Sequence, residues 1–257
     1  MARDFTLDSY KLLLEKFQQQ HYAIVAYEDF IQKPSSKKLV IMRHDVDKYP
    51  ENSYWSAKAE KEIGARATYY FRIVKESNQP EYIRAIADLG HEIGYHYEDL
   101  TLADGDMEKA IQYFKKHLDY FREFYPVKTI CMHGSPMSPY DNRRIWSDYS
   151  YRDYGIIGEP YFDIDFKKKF LYLTDTGRRW NGDKVSVRDK VTSNFKFNFQ
   201  HTEQIIEALD KNKLPNRIMI TTHPQRWHIE FLPWVQELIG QNIKNVVKKF
   251  MYVSNDK

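Results

Sequence analysis

Short apolar runs alternate with amphipathic helical segments from about residue 39 to the end of the chain. The apolar runs predict strands at 40–42, 67–71, 91–96, 129–132, 170–173 and 218–221. The amphipathic segments predict helices at about 52–64, 80–89, 104–124, 201–211 and 229–250, the first two closed by Gly64 and Gly90. This alternation is typical of an α/β fold with parallel strands under covering helices, arranged as a barrel or as a doubly wound sheet.

Two segments depart from this alternation. The first 35 residues predict a helix and a short strand packed onto the barrel, with Pro34-Ser35-Ser36 as a connector. Residues 134–169 contain many Pro, Gly, Asp and Tyr residues, so we predict an elaborated loop region beside the functional site. A chain of 257 residues is long enough for one large α/β domain, and we expect residues 1–257 to form a single domain.

Composition narrows the class of protein. With 42% hydrophobic and 16% aromatic residues, the chain is expected to be globular. The 39 basic and 36 acidic residues nearly balance, which argues against a nucleic-acid-binding protein. The 20 Tyr and 5 Trp residues are either core and surface aromatics or platforms on which sugar rings stack.

The same composition bears on location and redox chemistry. Cys131 is the single cysteine, so an intramolecular disulfide is excluded. The N-terminal residues lack an apolar signal region, and no stretch approaches the roughly 18 apolar residues of a transmembrane helix. We therefore expect a soluble, cytoplasmic protein without a transmembrane segment.

Polar side chains follow most of the predicted strands. In parallel α/β proteins, functional groups gather at the C-terminal ends of the strands. The residues at these positions are Asp45, Asp47, His96, Glu98, His133, Asp175 and His223. Carboxylates and imidazoles converging from different strands suit a divalent metal, in particular Zn²⁺, with an open position for water.

Asp45 and Asp47 are the most informative of these residues. Residues two apart on a strand face the same side, and two such carboxylates repel unless a cation or a proton holds them. Their alternative role is to cap the helix that follows Pro50. His91 and His96 lie five apart, which is wrong for one strand face, so at most one is a ligand and His91 is predicted to be structural.

Three motifs resemble, in chain order, the first, second and last signature motifs of the polysaccharide deacetylase family, the NodB-homology carbohydrate esterases. They are Arg43-His44-Asp45-Val46-Asp47, Gly90-His91-Glu92-Ile93-Gly94-Tyr95-His96 and Thr222-His223. The resemblance runs from about residue 39 to 225. It implies a distorted (β/α) barrel of six or seven parallel strands, and removal of an N-acetyl or O-acetyl group from a sugar by a metal-bound water.

The resemblance also implies a set of metal ligands. Asp47 and His96 match two of them, whereas Leu100 stands where the second motif supplies a second histidine. Three residues are candidates for the missing ligand: His133, Glu98 and His223. His133 is the first choice, because it follows a strand at which the family places an arginine beside the catalytic aspartate. Using His223 would leave the role of general acid empty.

For catalysis, the resemblance implies that Asp45 is the general base and His223 the general acid. Asp175 occupies roughly the place of the acidic residue that orients the catalytic histidine, and such a carboxylate raises the pKa of an imidazole. Five further residues are predicted to hold the sugar or an attached phosphate: Arg178, Arg179, Trp180, Arg226 and Trp227. Guanidinium forks suit phosphate, and indoles suit pyranose faces.

Three functions are compatible with these residues. The first is a metal-dependent deacetylase that removes an N-acetyl group from a sugar or glycan-assembly intermediate, such as a nucleotide-linked or lipid-linked acetamido sugar of lipopolysaccharide or capsule biosynthesis. The second is an inactive carbohydrate-binding barrel of surface-polysaccharide biosynthesis that has lost its metal with the second histidine. The third is a metal-dependent hydrolase that cleaves a non-sugar amide.

Overall fold

A computed structural model describes residues 3–34, 37–135, 137–181 and 190–253, with side chains up to residue 246. Ser35 and Ser36 of the predicted connector lie outside the described residues. The described strands are β1 (Ala23–Val25), β2 (Leu39–Val46), β3 (Thr68–Phe71), β4 (Glu92–Tyr97), β5 (Ile130–Met132), β6 (Leu171–Thr174) and β7 (Arg217–Thr222). The described helices are α1 (Leu7–Gln19), α2 (Tyr27–Gln32), α3 (Pro50–Glu62), α4 (Pro80–Asp88), α5 (Asp99–Leu102), α6 (Met107–Arg122), α7 (Ile145–Asp148), α8 (Pro160–Asp163), α9 (Thr202–Asp210) and α10 (Phe231–Val253).

The strands form one parallel sheet in the order β5-β4-β3-β2-β7-β6. Strand β1 pairs with the first half of β2, and β3 pairs with its second half, while β7 pairs along the opposite edge. The last strand of the chain therefore lies beside β2, and the sheet curls into a half-barrel that is open between β5 and β6. This arrangement confirms the predicted distorted (β/α) barrel and excludes the doubly wound sheet.

Strand β2 lies at the centre of the sheet and is buried along its whole length. Most of its side chains are apolar, as expected for a parallel strand with both faces covered. Arg43 and Asp45 are exceptions, since both are charged and both are buried. Because all strands are parallel, the polar residues that follow them gather at one rim of the half-barrel.

The helices follow the predicted pattern, with one shift that has a local cause. Pro50 and Pro80 occupy the first positions of α3 and α4, where the missing N–H costs no helical hydrogen bond. Helix α6 begins at Met107 and not near residue 104. The reason is that Asp104 and Gly105 adopt left-handed backbone angles, with φ of 53° and 85°, and form a turn before the helix starts.

Two segments lie outside the regular alternation of strands and helices. Near the N-terminus, α1 packs against α3 and α9, and β1 joins the sheet beside β2. Residues 137–169 form only short helices and turns, and the Asn142 side chain donates to the carbonyl oxygen of His133 at 2.9 Å. The predicted loop region therefore touches the rim. Within the described part of the chain, no helix is long and apolar enough to cross a membrane.

Candidate metal centre

The end of β2 carries a buried ion pair. Arg43 Nε donates to Asp45 Oδ1 at 2.7 Å, and Arg43 Nη2 donates to Asp45 Oδ2 at 2.6 Å. The two residues lie two apart on one strand, so strand geometry itself places them on the same face. Burial alone would raise the pKa of Asp45, but the guanidinium lowers it below its ordinary value. Asp45 is therefore held in one orientation and stays ionised.

Asp47 lies one residue beyond β2, where its N–H donates to the carbonyl of Asp45 in a tight turn. Its Oδ2 accepts a hydrogen bond from Gln225 Nε2 at 3.1 Å. Its Oδ1 is buried and has no hydrogen-bond partner among the described residues. The Nε2 atoms of His96 and His133 lie 3.9 and 3.6 Å from this oxygen. A buried carboxylate oxygen in this state lacks a compensating proton or cation.

His96, on β4, presents an unprotonated nitrogen to this carboxylate. Its Nδ1 lies 2.9 Å from the carbonyl oxygen of Cys131, which can only accept, so Nδ1 carries the hydrogen. Burial lowers the pKa of His96 to about 4, and the imidazole is therefore neutral near pH 7. A lone pair on Nε2 then faces the Asp47 and Asp45 carboxylates, which is the arrangement of a metal-ligating histidine.

His133, after β5, is oriented in the same way by a carboxylate. Its Nδ1 lies 2.8 Å from Oε2 of Glu98. Arg72 donates to the same carboxylate, from Nε to Oε1 at 2.8 Å and from Nη2 to Oε2 at 2.9 Å. Burial would raise the pKa of Glu98, but His133 and Arg72 lower it to about 2. Glu98 is therefore an acceptor for Nδ1–H of His133, and Nε2 is turned towards Asp47.

These contacts separate the three candidates for the missing ligand. Glu98 is engaged by Arg72 and His133, so it supports a ligand instead of occupying the ligand position. His223 is engaged by Asp175, as described below. Leu100 lies in the hydrophobic core, so its position faces no ligand set. His133 and His223 are both held by a carboxylate through Nδ1, and His133 is the one whose Nε2 lies 3.6 Å from Asp47.

A second grouping of ligand atoms lies next to the first. One potential ligand atom from each of Asp45, His96 and Cys131 lies within 4.8 Å of the other two. In this trio both oxygens of Asp45 also accept hydrogen bonds from Arg43, which leaves fewer lone pairs for a metal. Asp47, His96 and His133 instead offer an oxygen that has no donor among the described residues and two imidazole nitrogens at 3.9 and 3.6 Å from it, and these residue types suit Zn²⁺.

On the neighbouring strands, Asp175 organises a second group of side chains around His223. Asp175 Oδ1 lies 2.6 Å from His223 Nδ1, and Oδ2 accepts from the backbone N–H of His223 at 2.9 Å. Arg226 Nη1 donates to Oδ1 at 2.6 Å, and Trp227 Nε1 donates to Oδ2 at 2.7 Å. The carboxylate thus fixes both the position and the tautomer of the imidazole.

The charge balance around His223 favours its protonated form. Burial and the nearby Arg226 lower the pKa of His223, but the Asp175 carboxylate outweighs them and raises it above the ordinary value. Asp175 in turn has a lowered pKa, because Arg226 and His223 stabilise its ionised form more than burial opposes it. The pair is therefore suited to supply a proton near neutral pH.

The five predicted sugar-contacting residues lie around Asp175 and an adjoining aromatic cluster. Arg226 and Trp227 bind Asp175, and Trp180 is buried with its Nε1 donating to Thr202 Oγ1 at 3.0 Å. Arg178 donates to the carbonyl of Trp234 at 3.3 Å, and Arg179 donates to Asn181 at 2.8 Å. These contacts join protein groups to one another, so the sugar-binding role of the five residues stays a prediction.

Some functional residues had no predicted role. Arg43 stands inside the quoted Arg43–Asp47 motif, and its spacing of two from Asp45 is the signal that would have found it. Arg72 and Gln225 follow β3 and β7, but nothing in their local sequence marks them as part of the site. In contrast, His91 is structural as predicted, since its Nε2 contacts the carbonyl of Ala57 at 2.9 Å.

The fold and site define a parallel (β/α) half-barrel with a candidate metal centre and a carboxylate–histidine pair at its rim. No protein-family model matches the chain, and a search of curated proteins finds no match. Among solved structures, a family 4 carbohydrate esterase pseudoenzyme from Bacillus anthracis is similar, with 14% identity over 83% of this chain and a TM-score of 0.43. The chain covers only 62% of that protein.

Two further solved structures show a comparable similarity. A family 4 carbohydrate esterase from Streptomyces lividans, in complex with acetate, has 13% identity over 83% of this chain and 90% of its own, with a TM-score of 0.40. A family 4 carbohydrate esterase from Bacillus subtilis has 13% identity over 90% of this chain and 84% of its own, with a TM-score of 0.41. Similarities this low carry no information on the activity of this chain.

Proposed function

We propose that this protein is a metal-dependent hydrolase that removes an N-acetyl group from a carbohydrate. One observation carries the proposal: in the described part of the chain, Oδ1 of Asp47 is buried without a hydrogen-bond donor and faces the Nε2 atoms of His96 and His133. The resemblance of three sequence motifs to polysaccharide deacetylases supports the choice of an acetylated sugar as substrate.

The three residues fit a divalent metal such as Zn²⁺. Both imidazoles use Nδ1 to bind an acceptor, which leaves Nε2 to face the ionised carboxylate. The Asp47 oxygen and the His96 Nε2 both present lone pairs to each other, and this favours a positive ion between them. When bound, the metal would lower the pKa of a water molecule and polarise the acyl carbonyl.

The remaining residues then perform the proton transfers of amide hydrolysis. Asp45, oriented by Arg43, takes a proton from the attacking water as the new C–O bond forms. His223, protonated through its pairing with Asp175, gives its proton to the amide nitrogen as the C–N bond breaks. The products are acetate and a free amino sugar. Asp45 then loses its proton to solvent and His223 takes one up from solvent, so both groups return to their starting state.

Metal analysis combined with acetate release tests the proposal. The purified protein should bind close to one equivalent of Zn²⁺ and release acetate from an N-acetylated sugar. Asp47→Ala should lose the metal, whereas Asp45→Asn should keep it and lose acetate release by about 10²–10⁴-fold, the usual contribution of a general base. Asp165→Asn, a change at the exposed loop before β6, serves as the matched control.

Other results would identify one of the alternative functions. Metal-free protein that still binds acetylated sugars would indicate a carbohydrate-binding barrel without catalysis. A bound metal with no acetate release from any acetylated sugar would indicate hydrolysis of a different amide.

A further inference from the structure

A groove of about 1030 Å³ lies outside the metal centre, along the outer side of α3. Its walls come from α3, from the starts of α4 and α10, and from the first turns of α1. We call it the α3 groove. Its volume is at the upper limit of ordinary small-molecule sites, roughly 300–1,000 Å³, so it can hold a ligand longer than a single sugar ring.

Three aromatic side chains line the α3 groove. Trp55 and Tyr82 are half-buried, and Tyr49 is 55% exposed. Lys58 Nζ lies 4.9 Å from the centre of the Trp55 ring, which limits the ways in which the side chain can turn. Aromatic rings that are half-buried and held in place offer flat apolar surfaces, against which the C–H faces of sugar rings pack.

One wall of the groove carries a buried histidine. His228 lines the groove and is buried, and its Nε2 has no hydrogen-bond partner among the described residues. Its ring also interacts with the backbone of Gln225, and its Nδ1 lies 3.4 Å from the amide nitrogen of Asn52. The groove thus contains a buried ring nitrogen, and a sugar hydroxyl, which can both donate and accept, is a suitable partner for it.

The charges of the groove disfavour a phosphorylated ligand. Four carboxylates line it against two ammonium groups: Glu51, Glu62, Glu230 and Glu237 against Lys11 and Lys58. Lys11 is paired with Glu62 at 3.0 Å, and Glu237 is paired with Lys48 at 3.6 Å. The remaining charge is negative, which repels phosphate and suits neutral or amino-bearing groups.

The groove begins at the rim that carries the metal centre. Tyr49 lies two residues after Asp47, and Asn52 donates to the carbonyl of Pro224, the residue that follows His223. We propose that the α3 groove binds further sugar units, neutral or amino-bearing, of an oligosaccharide whose acetylated unit occupies the metal centre. This inference rests on the proposed function and adds a second, separate carbohydrate site to it.

Binding to metal-free protein tests the groove without turnover. We expect the affinity for N-acetylglucosamine oligomers to rise by about tenfold from monomer to trimer, as one aromatic stacking contact of about 1.4 kcal/mol corresponds to a factor of ten. Trp55→Ala should abolish this gain and leave the affinity for the monomer unchanged. Tyr82→Ala is a second variant, and the thermal unfolding midpoint of each shows whether it folds.

Phe124→Ala is the matched control. Phe124 is also a half-buried aromatic residue with a cation, Arg84, at 4.6 Å from its ring centre, but it lies outside the groove. This variant should keep the length-dependent gain. Affinity that is the same for monomer and trimer, or a gain that survives both Trp55→Ala and Tyr82→Ala, would overturn the proposal. Tighter binding of a phosphorylated sugar than of the unphosphorylated trimer would overturn it as well.

Acetate release distinguishes the failure of the groove from the failure of the proposed function. Equal release from monomer and trimer, unaffected by Trp55→Ala, would remove the groove site and leave the deacetylase in place. Length-dependent binding that is lost in Trp55→Ala, with no acetate release from any oligomer in the presence of Zn²⁺, would retain the groove as a carbohydrate site and remove the deacetylase.

Discussion

Glu98 binds Nδ1 of His133 at 2.8 Å, and this contact decides which nitrogen of the imidazole faces Asp47. Glu98 follows β4 and is itself held by Arg72, which follows β3. Together they orient His133, which follows β5. The centre is therefore supported from three neighbouring strands.

Removal of this support should weaken metal binding. We expect Glu98→Ala to reduce the affinity for Zn²⁺ by about 10–100-fold, the usual effect of losing a residue that orients a ligating histidine. Arg72→Met leaves the Glu98–His133 contact in place and should have a smaller effect. Competition with a chromogenic chelator measures both affinities, and equal losses in the two variants would contradict the orienting role of Glu98.

The raised pKa of His223 predicts a pH dependence of catalysis. Protonated His223 is the proposed acid, so kcat should fall as the pH rises through its pKa, which lies above the ordinary value near 6.5. Asp175→Asn removes the carboxylate that raises this pKa, and the decline should move to lower pH. Rate profiles of both proteins, with an NMR titration of His223, measure the shift. An unchanged profile in Asp175→Asn would exclude His223 as the titrating acid.

The same pairing predicts a pH-dependent stability. Because the pKa of His223 is higher in the folded than in the unfolded protein, its contribution is complete below the unfolded value, about 6.5, and is lost as the pH rises through the folded value. The difference in unfolding free energy between the wild type and Asp175→Asn should therefore shrink as the pH increases over this range. Urea unfolding of both proteins at several pH values measures it.

Leu100 is expected to matter for folding and not for metal binding. It is buried in the hydrophobic core, so Leu100→Ala should lower the free energy of unfolding by about 2–5 kcal/mol. Leu102, in the same short helix, is 39% exposed, and Leu102→Ala should change the free energy of unfolding by less than about 0.5 kcal/mol. Both variants should retain their metal. Metal loss in well-folded Leu100→Ala would show that this position contributes to the centre.

Arg43 should stabilise the fold through its pairing with Asp45. Arg43→Met leaves a buried carboxylate without a partner, which costs about 3–5 kcal/mol in unfolding free energy. Replacing both residues, as in Arg43→Met with Asp45→Leu, removes the buried charge and should recover most of that loss. Chemical denaturation of the single and double variants gives the coupling between the two positions. Additive losses would show that the pair is not energetically linked.

The sequence allowed the rim residues to be predicted because strand ends are marked by polar residues after apolar runs. Asp45, Asp47, His96, His133, Asp175 and His223 could all be named in this way, and so could the barrel that brings their strands together. The contacts between them could not, since they join residues far apart in the chain. The sequence makes Glu98 a candidate ligand, yet its position between Arg72 and His133 depends on the packing of three strands.

Arg43 shows a different limit. Its charge, in a strand that is buried along its whole length, would ordinarily suggest a different strand boundary, and the pair with Asp45 offsets the cost of burying it. The α3 groove was also beyond prediction, because its walls belong to four helices whose relative positions are set by tertiary packing.

Because the half-barrel is open between β5 and β6, its rim consists of two arcs that meet where β2 pairs with β7. The ligand side chains Asp47, His96 and His133 come from the β2-to-β5 arc, and His223 with Asp175 comes from the β6–β7 arc. Among the described strands, the two arcs are joined by the β2–β7 ladder, in which Arg43 is level with Thr221 and His44 with Thr222. A slip of two residues in that register would keep the side chains on their faces and every ion pair within each arc intact, yet would displace the proton donor along the strand axis by about 6.6 Å. The distance between the proposed base, Asp45, and the proposed acid, His223, therefore depends on the backbone hydrogen bonds between β2 and β7. Substitution of side chains alone would not show this dependence.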